Sequence, residues 1–236
     1  MTPAVVVLAG AVTAALGGLA VPWLVKRLPE PELKEDTEPK PPYAEIGARP
    51  GLGWRSVLAG AVVGGLVGAA VGLDWWLLVL VPLVPVGVAL AVVDWHTKLL
   101  PTRIVLPATG YALVAALVGW AVTQQTDDLV RAGLGLVAAR TFFWLLWLIY
   151  SAGMGFGDVR LAALLGAALA HLGWAELVVG LYSGFLVFGL PGLLLAIVRR
   201  DRSLLRTAYP FGPFMLVGAL VGILADPWAA GYLGFG

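Results

Sequence analysis

Two aspartates stand where an ionised carboxylate is costly. Asp158 closes the glycine-rich run Gly153-Met154-Gly155-Phe156-Gly157-Asp158. Asp94 ends a long apolar stretch and opens Asp94-Trp95-His96-Thr97-Lys98-Leu99-Leu100-Pro101. Both lie at the edge of segments greasy enough to enter a membrane, where a charged side chain needs a task or a partner. Two carboxylates that share one proton can hydrolyse a peptide: one takes a proton from water, the other donates to the carbonyl oxygen. Close like charges oppose double ionisation, so the two protonation states are coupled, and a partly dry site strengthens the coupling. The glycines before Asp158 offer positive φ and close approach of other groups. Spacing alone leaves two other readings open. Each aspartate could cap a helix, as Asp158 could before Val159, or both could be the intramembrane carboxylates of a transporter.

The elements that must position this pair are membrane helices. Of the 236 residues 60% are hydrophobic and 12% charged, about half the charge of a soluble domain, and several apolar runs approach the roughly 20 residues needed to cross a bilayer. The expected fold is all-α, a polytopic membrane protein forming a single domain over residues 1–236, a bundle of about eight transmembrane helices. The net charge of +1 gives no sign of nucleic-acid binding. The chain has 0 cysteines, which removes disulfides, thiol catalysis and cysteine-ligated zinc. His96 and His171 are the only histidines and form no His-Glu-x-x-His helix, so no metal site is expected.

Charge and length order the spans. The apolar run 3–25 is followed by Lys26 and Arg27 with nothing basic before it, so it reads as a retained helix with its N-terminus outside. Residues 26–55 form the one substantial polar segment, expected to be a cytoplasmic loop. Pro29, Pro31, Pro39, Pro41 and Pro42 forbid a continuous helix there, and Glu30, Glu32, Glu35, Asp36 and Glu38 cluster acidic charge. It reads as a solvated linker, with a docking surface for a basic peptide as the sharper alternative. In the next helix, 56–73, Gly60, Gly64, Gly68 and Gly72 lie along one side and invite a backbone-to-backbone neighbour. Asp74 marks an outer turn with Trp75 and Trp76 in the interfacial belt. Further helices are expected at 75–93, bent by Pro82 and Pro85, at 104–122, 129–150, 159–174, 176–198 and 209–226. Arg140 falls mid-span, which calls for a structural partner. Every lysine and arginine except Arg131 and Arg140 then lies on or beside an inner loop, ending with Arg199, Arg200, Arg202 and Arg206. Asp226 and Trp228 face outward. This layout puts Asp94 and Asp158 at the same cytoplasmic boundary.

The run Gly153 to Asp158, continued by Val159-Arg160-Leu161, resembles the GxGD signature of the bacterial type IV prepilin peptidases, and Asp94 with Leu100-Pro101 and Leu106-Pro107 is similar to that family's first aspartate motif. The eight-helix layout extends the resemblance over nearly the whole chain. Presenilin-like and signal-peptide-peptidase-like proteases share GxGD, but their Pro-Ala-Leu motif is absent here. The resemblance implies an aspartic endopeptidase in the bacterial inner (cytoplasmic) membrane, its active site facing the cytoplasm. Its substrates would be prepilins or pseudopilins, losing a short basic leader after a glycine and before an apolar helix. Asp94 and Asp158 carry over as the catalytic pair, and Gly155 and Gly157 as residues shaping the turn. Many members have a further aspartate where this chain has Thr102, so that position is expected to be dispensable. His96 is expected to be an interfacial residue rather than a proton carrier. Many members also hold paired cysteines in the first cytoplasmic loop and methylate the new N-terminus with S-adenosylmethionine. The loop here has no cysteines, so no cofactor is expected for peptidase activity, and the methyl donor only if methylation is retained.

A proton- or ion-coupled transporter using the same carboxylates is the competing reading, and a noncatalytic assembly scaffold a third. The layout has a direct test. In the naturally cysteine-free chain, Glu38→Cys and Lys98→Cys should be shielded from an impermeant thiol reagent in intact cells and Thr123→Cys should be labelled. Labelling at position 98 from outside would overturn a cytoplasmic Asp94.

Overall fold

The computed structural model describes residues 2–30, 39–149, 154–199 and 209–233, and its regular elements are all α-helices. Gly153, Pro31, the acidic positions Glu32, Glu35, Asp36 and Glu38, and Arg200, Arg202 and Arg206 lie outside the described residues, as do the side chains of Asp226 and Trp228. The helices are α1 (Pro3–Gly18), α2 (Val21–Lys26), α3 (Tyr43–Ala48), α4 (Leu52–Val71), α5 (Leu77–Thr97), α6 (Thr102–Thr123), α7 (Thr126–Ile149), α8 (Phe156–Leu172), α9 (Trp174–Arg199) and α10 (Gly212–Leu233). With α1 and α2 taken as one span, and the short α3 set aside, these are the eight apolar segments expected from hydropathy. Among the described residues five spans are long and apolar enough to cross a membrane, Pro3–Lys26, Leu52–Val71, Leu77–Thr97, Thr102–Thr123 and Thr126–Ile149. The protein is a multi-pass membrane protein.

The chain forms two compact units, Met1–Ala108 and Thr109–Gly236, with the division falling inside α6. In the first unit the most extensive contact is α1 against α4, and it is made by backbone. A Cβ on Gly68 would stand 2.9 Å from the Val6 carbonyl oxygen, and one on Gly10 2.5 Å from that of Gly64. Gly60 and Gly64 approach the carbonyls of Ala14 and Gly10 more closely still. In lipid no hydrophobic force holds helices together, so close packing of this kind supplies the attraction. Gly72, expected to join this row, does not. It caps α4 at φ 68° and ψ −153°, a conformation that L side chains avoid, and nothing lies within 4 Å of its would-be Cβ.

The first helix is broken rather than continuous. It stops at Gly18 and resumes as α2 at Val21, where Pro22 cannot donate to the Gly18 carbonyl. By contrast α5 runs through Pro82 and Pro85 as one assigned helix. The two tryptophans at its start differ. The Asp74 carboxylate accepts the Trp76 amide at 2.7 Å and turns the chain. Trp76 is then fully buried while Trp75 is exposed, so only Trp75 has the exposure an interfacial residue needs.

In the second unit the two most extensive helix pairs are again glycine crossings, α7 on α8 and α9 on α10. A Cβ on Gly135 would stand 2.6 Å from the Gly166 carbonyl oxygen; one on Gly218 would meet that of Gly180, and one on Gly222 that of Glu176, each at 2.5 Å. An aromatic group packs α7, α9 and the start of α10: Phe143 stacks on Phe185 at 5.4 Å, and Phe211 lies 5.2 Å from Phe185 and 5.0 Å from Phe188. Arg131 pairs with Asp128 and donates to the His171 carbonyl at 3.3 Å. Arg140 takes no such part. It is exposed on α7 beside the buried Ala139, and no hydrogen bond or ion pair is made by it among the described residues. The expected structural partner is therefore not found there. Its long apolar stem can instead lie along the helix and carry the charge toward a membrane surface.

The crossings make a contrast that unfolding can measure. Gly64→Val, whose Cβ meets Ala14 and the Gly10 backbone, should cost about 1–3 kcal/mol through overpacking. Gly110→Ala on α6, with nothing within 4 Å, should be neutral or gain about 0.5–1 kcal/mol. Thermal midpoints of the purified protein in detergent would report both, and equal loss in the two variants would contradict the backbone contact.

Candidate active site

Asp94 sits inside the last turn of α5, because the helix runs to Thr97, four residues beyond the end at 93 that hydropathy placed. The apolar run stops at Val93, but backbone pairing continues to Thr97. Lys98 then takes the left-handed conformation, φ 52°, and its amide donates to the Asp94 carbonyl at 2.7 Å. Two side chains fold back on the same turn: the Thr97 hydroxyl donates to the Val93 carbonyl at 2.8 Å, and His96 Nδ1 donates to the Val92 carbonyl at 2.7 Å. His96 thus spends one ring nitrogen on its own helix. The Asp94 side chain is 3% exposed. Pro101 follows, and its carbonyl accepts from Ile104 and Val105 to start α6 at Thr102.

Asp158 is the third residue of α8, because the helix begins at Phe156 and not after the aspartate. Its carboxylate accepts the Gly155 amide at 3.0 Å, while the Asp158 amide donates to the Gly155 carbonyl at 3.1 Å. This is the reciprocal arrangement of a capping box, formed with the backbone of a glycine N-cap. The capping role open to Asp158 is therefore filled, by a residue that is 7% exposed. Gly155 does not use positive φ; it is extended at φ −74° and ψ 147°. A Cβ there would lie 3.5 Å from Asp158 Oδ2, an ordinary contact. The backbone freedom expected of this glycine is not what the turn draws on. Gly157 is the second residue of α8. Around the turn, Phe156 meets Trp147 of α7 edge-on at 5.1 Å, and the Arg160 guanidinium lies 5.0 Å from the Phe156 ring.

Asp94 thus belongs to the first compact unit and Asp158 to the second, each buried at the end of a helix. Hydropathy missed a short helix that packs on α5. Tyr43 of α3 is 3% exposed, and α3 packs against α2 and α5. The available signal was Tyr43-Ala44-Glu45-Ile46 directly after Pro41-Pro42, an amphipathic turn following two prolines.

Each compact unit thus carries a buried carboxylate at the end of an apolar helix, the second of them in a GxGD turn. Comparison with known proteins gives the family. The model of the type IV leader peptidase family matches residues 79–198, just over half of the chain and including both aspartates. The chain belongs to this family. A Pseudomonas putida protein described as a prepilin leader peptidase/N-methyltransferase is 36% identical over 149 residues, 62% of this chain and 49% of that protein. Proteins of the same description from Pseudomonas aeruginosa and Escherichia coli are 31% identical over 180 residues and 30% identical over 142. These alignments cover 75% and 59% of this chain, and 60% and 59% of the relatives. The chain thus spans about half the length of the curated relatives it matches. No solved structure matches it significantly.

The capping role of Asp158 can be separated from any proton chemistry. Asp158→Asn keeps an oxygen that can accept the Gly155 amide, so its thermal midpoint should stay near the wild-type value. Asp158→Ala loses the acceptor and should cost about 1 kcal/mol. Matched stability of the two variants would show that the cap bears no weight.

Proposed function

We propose that this protein is an aspartic endopeptidase that removes the basic leader from type IV prepilins or pseudopilins at the cytoplasmic face of the inner membrane. The observation that carries the proposal is that both aspartates fall within the family-matched segment and both are buried at helix ends, 3% and 7% exposed. In this reading Asp94 and Asp158 act as one catalytic pair. Water loses a proton to one carboxylate and attacks the scissile carbonyl carbon. The other carboxyl group donates its proton to the carbonyl oxygen, and collapse of the tetrahedral intermediate breaks the C–N bond with proton return to the amine. The capping bond from Gly155 fixes the orientation of the Asp158 carboxylate before substrate arrives. Gly155 and Gly157 keep side chains away from that face of the turn. Thr102 takes no proton.

The substrate class is part of the same proposal. The scissile bond must reach carboxylates at the ends of membrane helices, so a leader outside the membrane joined to an apolar helix within it fits the site. The relatives are described as N-methyltransferases as well. With no cysteines this chain lacks the paired-cysteine module associated with that second activity, and we propose peptidase activity without a cofactor. S-Adenosylmethionine enters only if methylation is retained.

The test is cleavage of a purified prepilin with a basic leader and a glycine–phenylalanine junction. Asp94→Asn and Asp158→Asn should each reduce cleavage by at least about 1000-fold while remaining in the membrane, and the double variant should lose little more, since the two act as a unit. Chelators should leave the wild-type rate unchanged, and mass spectrometry of the product should show a free, unmethylated N-terminus. Normal cleavage by either well-folded asparagine variant would sink the aspartic mechanism.

A further inference from the structure

Phe156 stands between the two glycines of the GxGD run, and neither the capping bond nor the proton chemistry uses its ring. The ring is engaged from two directions. Trp147, in the last turn of α7, meets it edge-on, with centroids 5.1 Å apart and planes at 75°. The Arg160 guanidinium lies over it, 5.0 Å from its centroid. At these separations an aromatic pair and a cation–π pair each attract.

Helix spacing makes this compatible with the carboxylate between them. Phe156 and Arg160 are i and i+4 on α8, so they share one side of the helix. Asp158 is two residues from each and lies about half a turn around the axis. It keeps its own side, where it accepts the Gly155 amide at 3.0 Å. A cation this close to a helix N-terminus gains nothing from the helix dipole, and the Phe156 ring gives Arg160 a compensating contact.

We propose that Trp147, Phe156 and Arg160 form a clamp on the GxGD turn and, resting on the peptidase reading, that they are positioning residues for Asp158. The glycine crossing of α7 and α8 is at Gly135 and Gly166. Asp158 is eight residues from Gly166, about 12 Å along the helix, so a small change of angle at the crossing moves the carboxylate. Helix ends also fray, and misplacing a catalytic group by about 1 Å is costly in rate. Trp147 against Phe156 ties the last turn of α7 to the first residue of α8, two residues from Asp158.

The experiment uses the full chain in lipid vesicles with the same prepilin as substrate. Amide hydrogen exchange over residues 154–159 is the readout independent of activity, since the Gly155 amide is bonded to the Asp158 carboxylate. Trp147→Leu and Phe156→Leu should each lower kcat about 3- to 10-fold, the range one aromatic pair allows, with KM unchanged within about twofold. The double variant should be little slower than either single one, because both remove the same contact. Phe156→Tyr keeps the ring and should hold kcat within about twofold of wild type. Arg160→Gln should lower kcat about 2- to 5-fold, and Arg160→Lys, which keeps the cation, by less. Exchange at Gly155 should quicken in both leucine variants. If Phe156→Leu is lost from the membrane, Trp147→Leu carries the same expectations. Faster exchange with wild-type kcat would make the clamp purely structural and overturn the positioning role, as would unchanged exchange, a loss seen only in KM, or a Phe156→Tyr variant as slow as Phe156→Leu. A wild-type protein that cleaves no prepilin would overturn the peptidase reading itself, a different result from an active wild type whose leucine variants are equally active.

Discussion

Backbone-to-backbone contact between glycine-bearing helices is the interaction on which the rest of this protein depends. Lipid tails are as apolar as leucine, so exchanging lipid for a neighbouring helix gains little unless the two surfaces fit closely. The three most extensive helix pairs, α1 with α4, α7 with α8 and α9 with α10, all meet through glycines whose carbonyls nearly touch the partner backbone. These contacts leave large side chains on the outer faces, such as Leu8, Leu58, Leu134 and Leu190, for lipid. They also set the rigid pieces to which the helix ends are attached.

The carboxylates exploit those ends. A helix interior has no spare backbone donors or acceptors, whereas its first and last turns do. Asp158 uses the first turn of α8, where its carboxylate takes the Gly155 amide and where the helix dipole favours negative charge. Asp94 uses the last turn of α5, where the dipole is unfavourable, and the neighbouring Thr97, His96 and Lys98 all spend polar groups on that turn. The asymmetry gives a physical reason for the different surroundings of two chemically identical residues: one is held by its own helix start, the other stands in a helix end on which its neighbours spend their polar groups.

The short helix α3 changes how the polar stretch after α2 is understood. Prolines and acidic residues describe a chain that cannot form a long helix, and that much is so. They do not say whether a short helix forms between them. Tyr43 and Ile46 give α3 enough apolar surface to pack against α2 and α5, and Glu30 provides the acceptor that the first amides of so short a helix require.

Much was legible in the amino-acid order alone. The membrane class, the eight apolar segments and the two aspartates follow from one-dimensional constraints, because bilayer thickness sets span length and a spanning helix satisfies its own backbone. The GxGD run was readable for the same reason: its residues are contiguous. What depends on a neighbour was not readable. Gly68 and Gly72 occupy equivalent places in a four-residue repeat, yet one meets the Val6 carbonyl and the other turns the chain at positive φ. Trp75 and Trp76 are adjacent, yet only the second is buried. Arg140 sits mid-span like a residue needing a partner, yet it stands on the exposed face of α7. Local sequence determined how long each helix is and what it carries; only tertiary packing decided which face each residue presents, because a glycine, a tryptophan or an arginine is chemically suited to more than one environment until a particular helix lies against it.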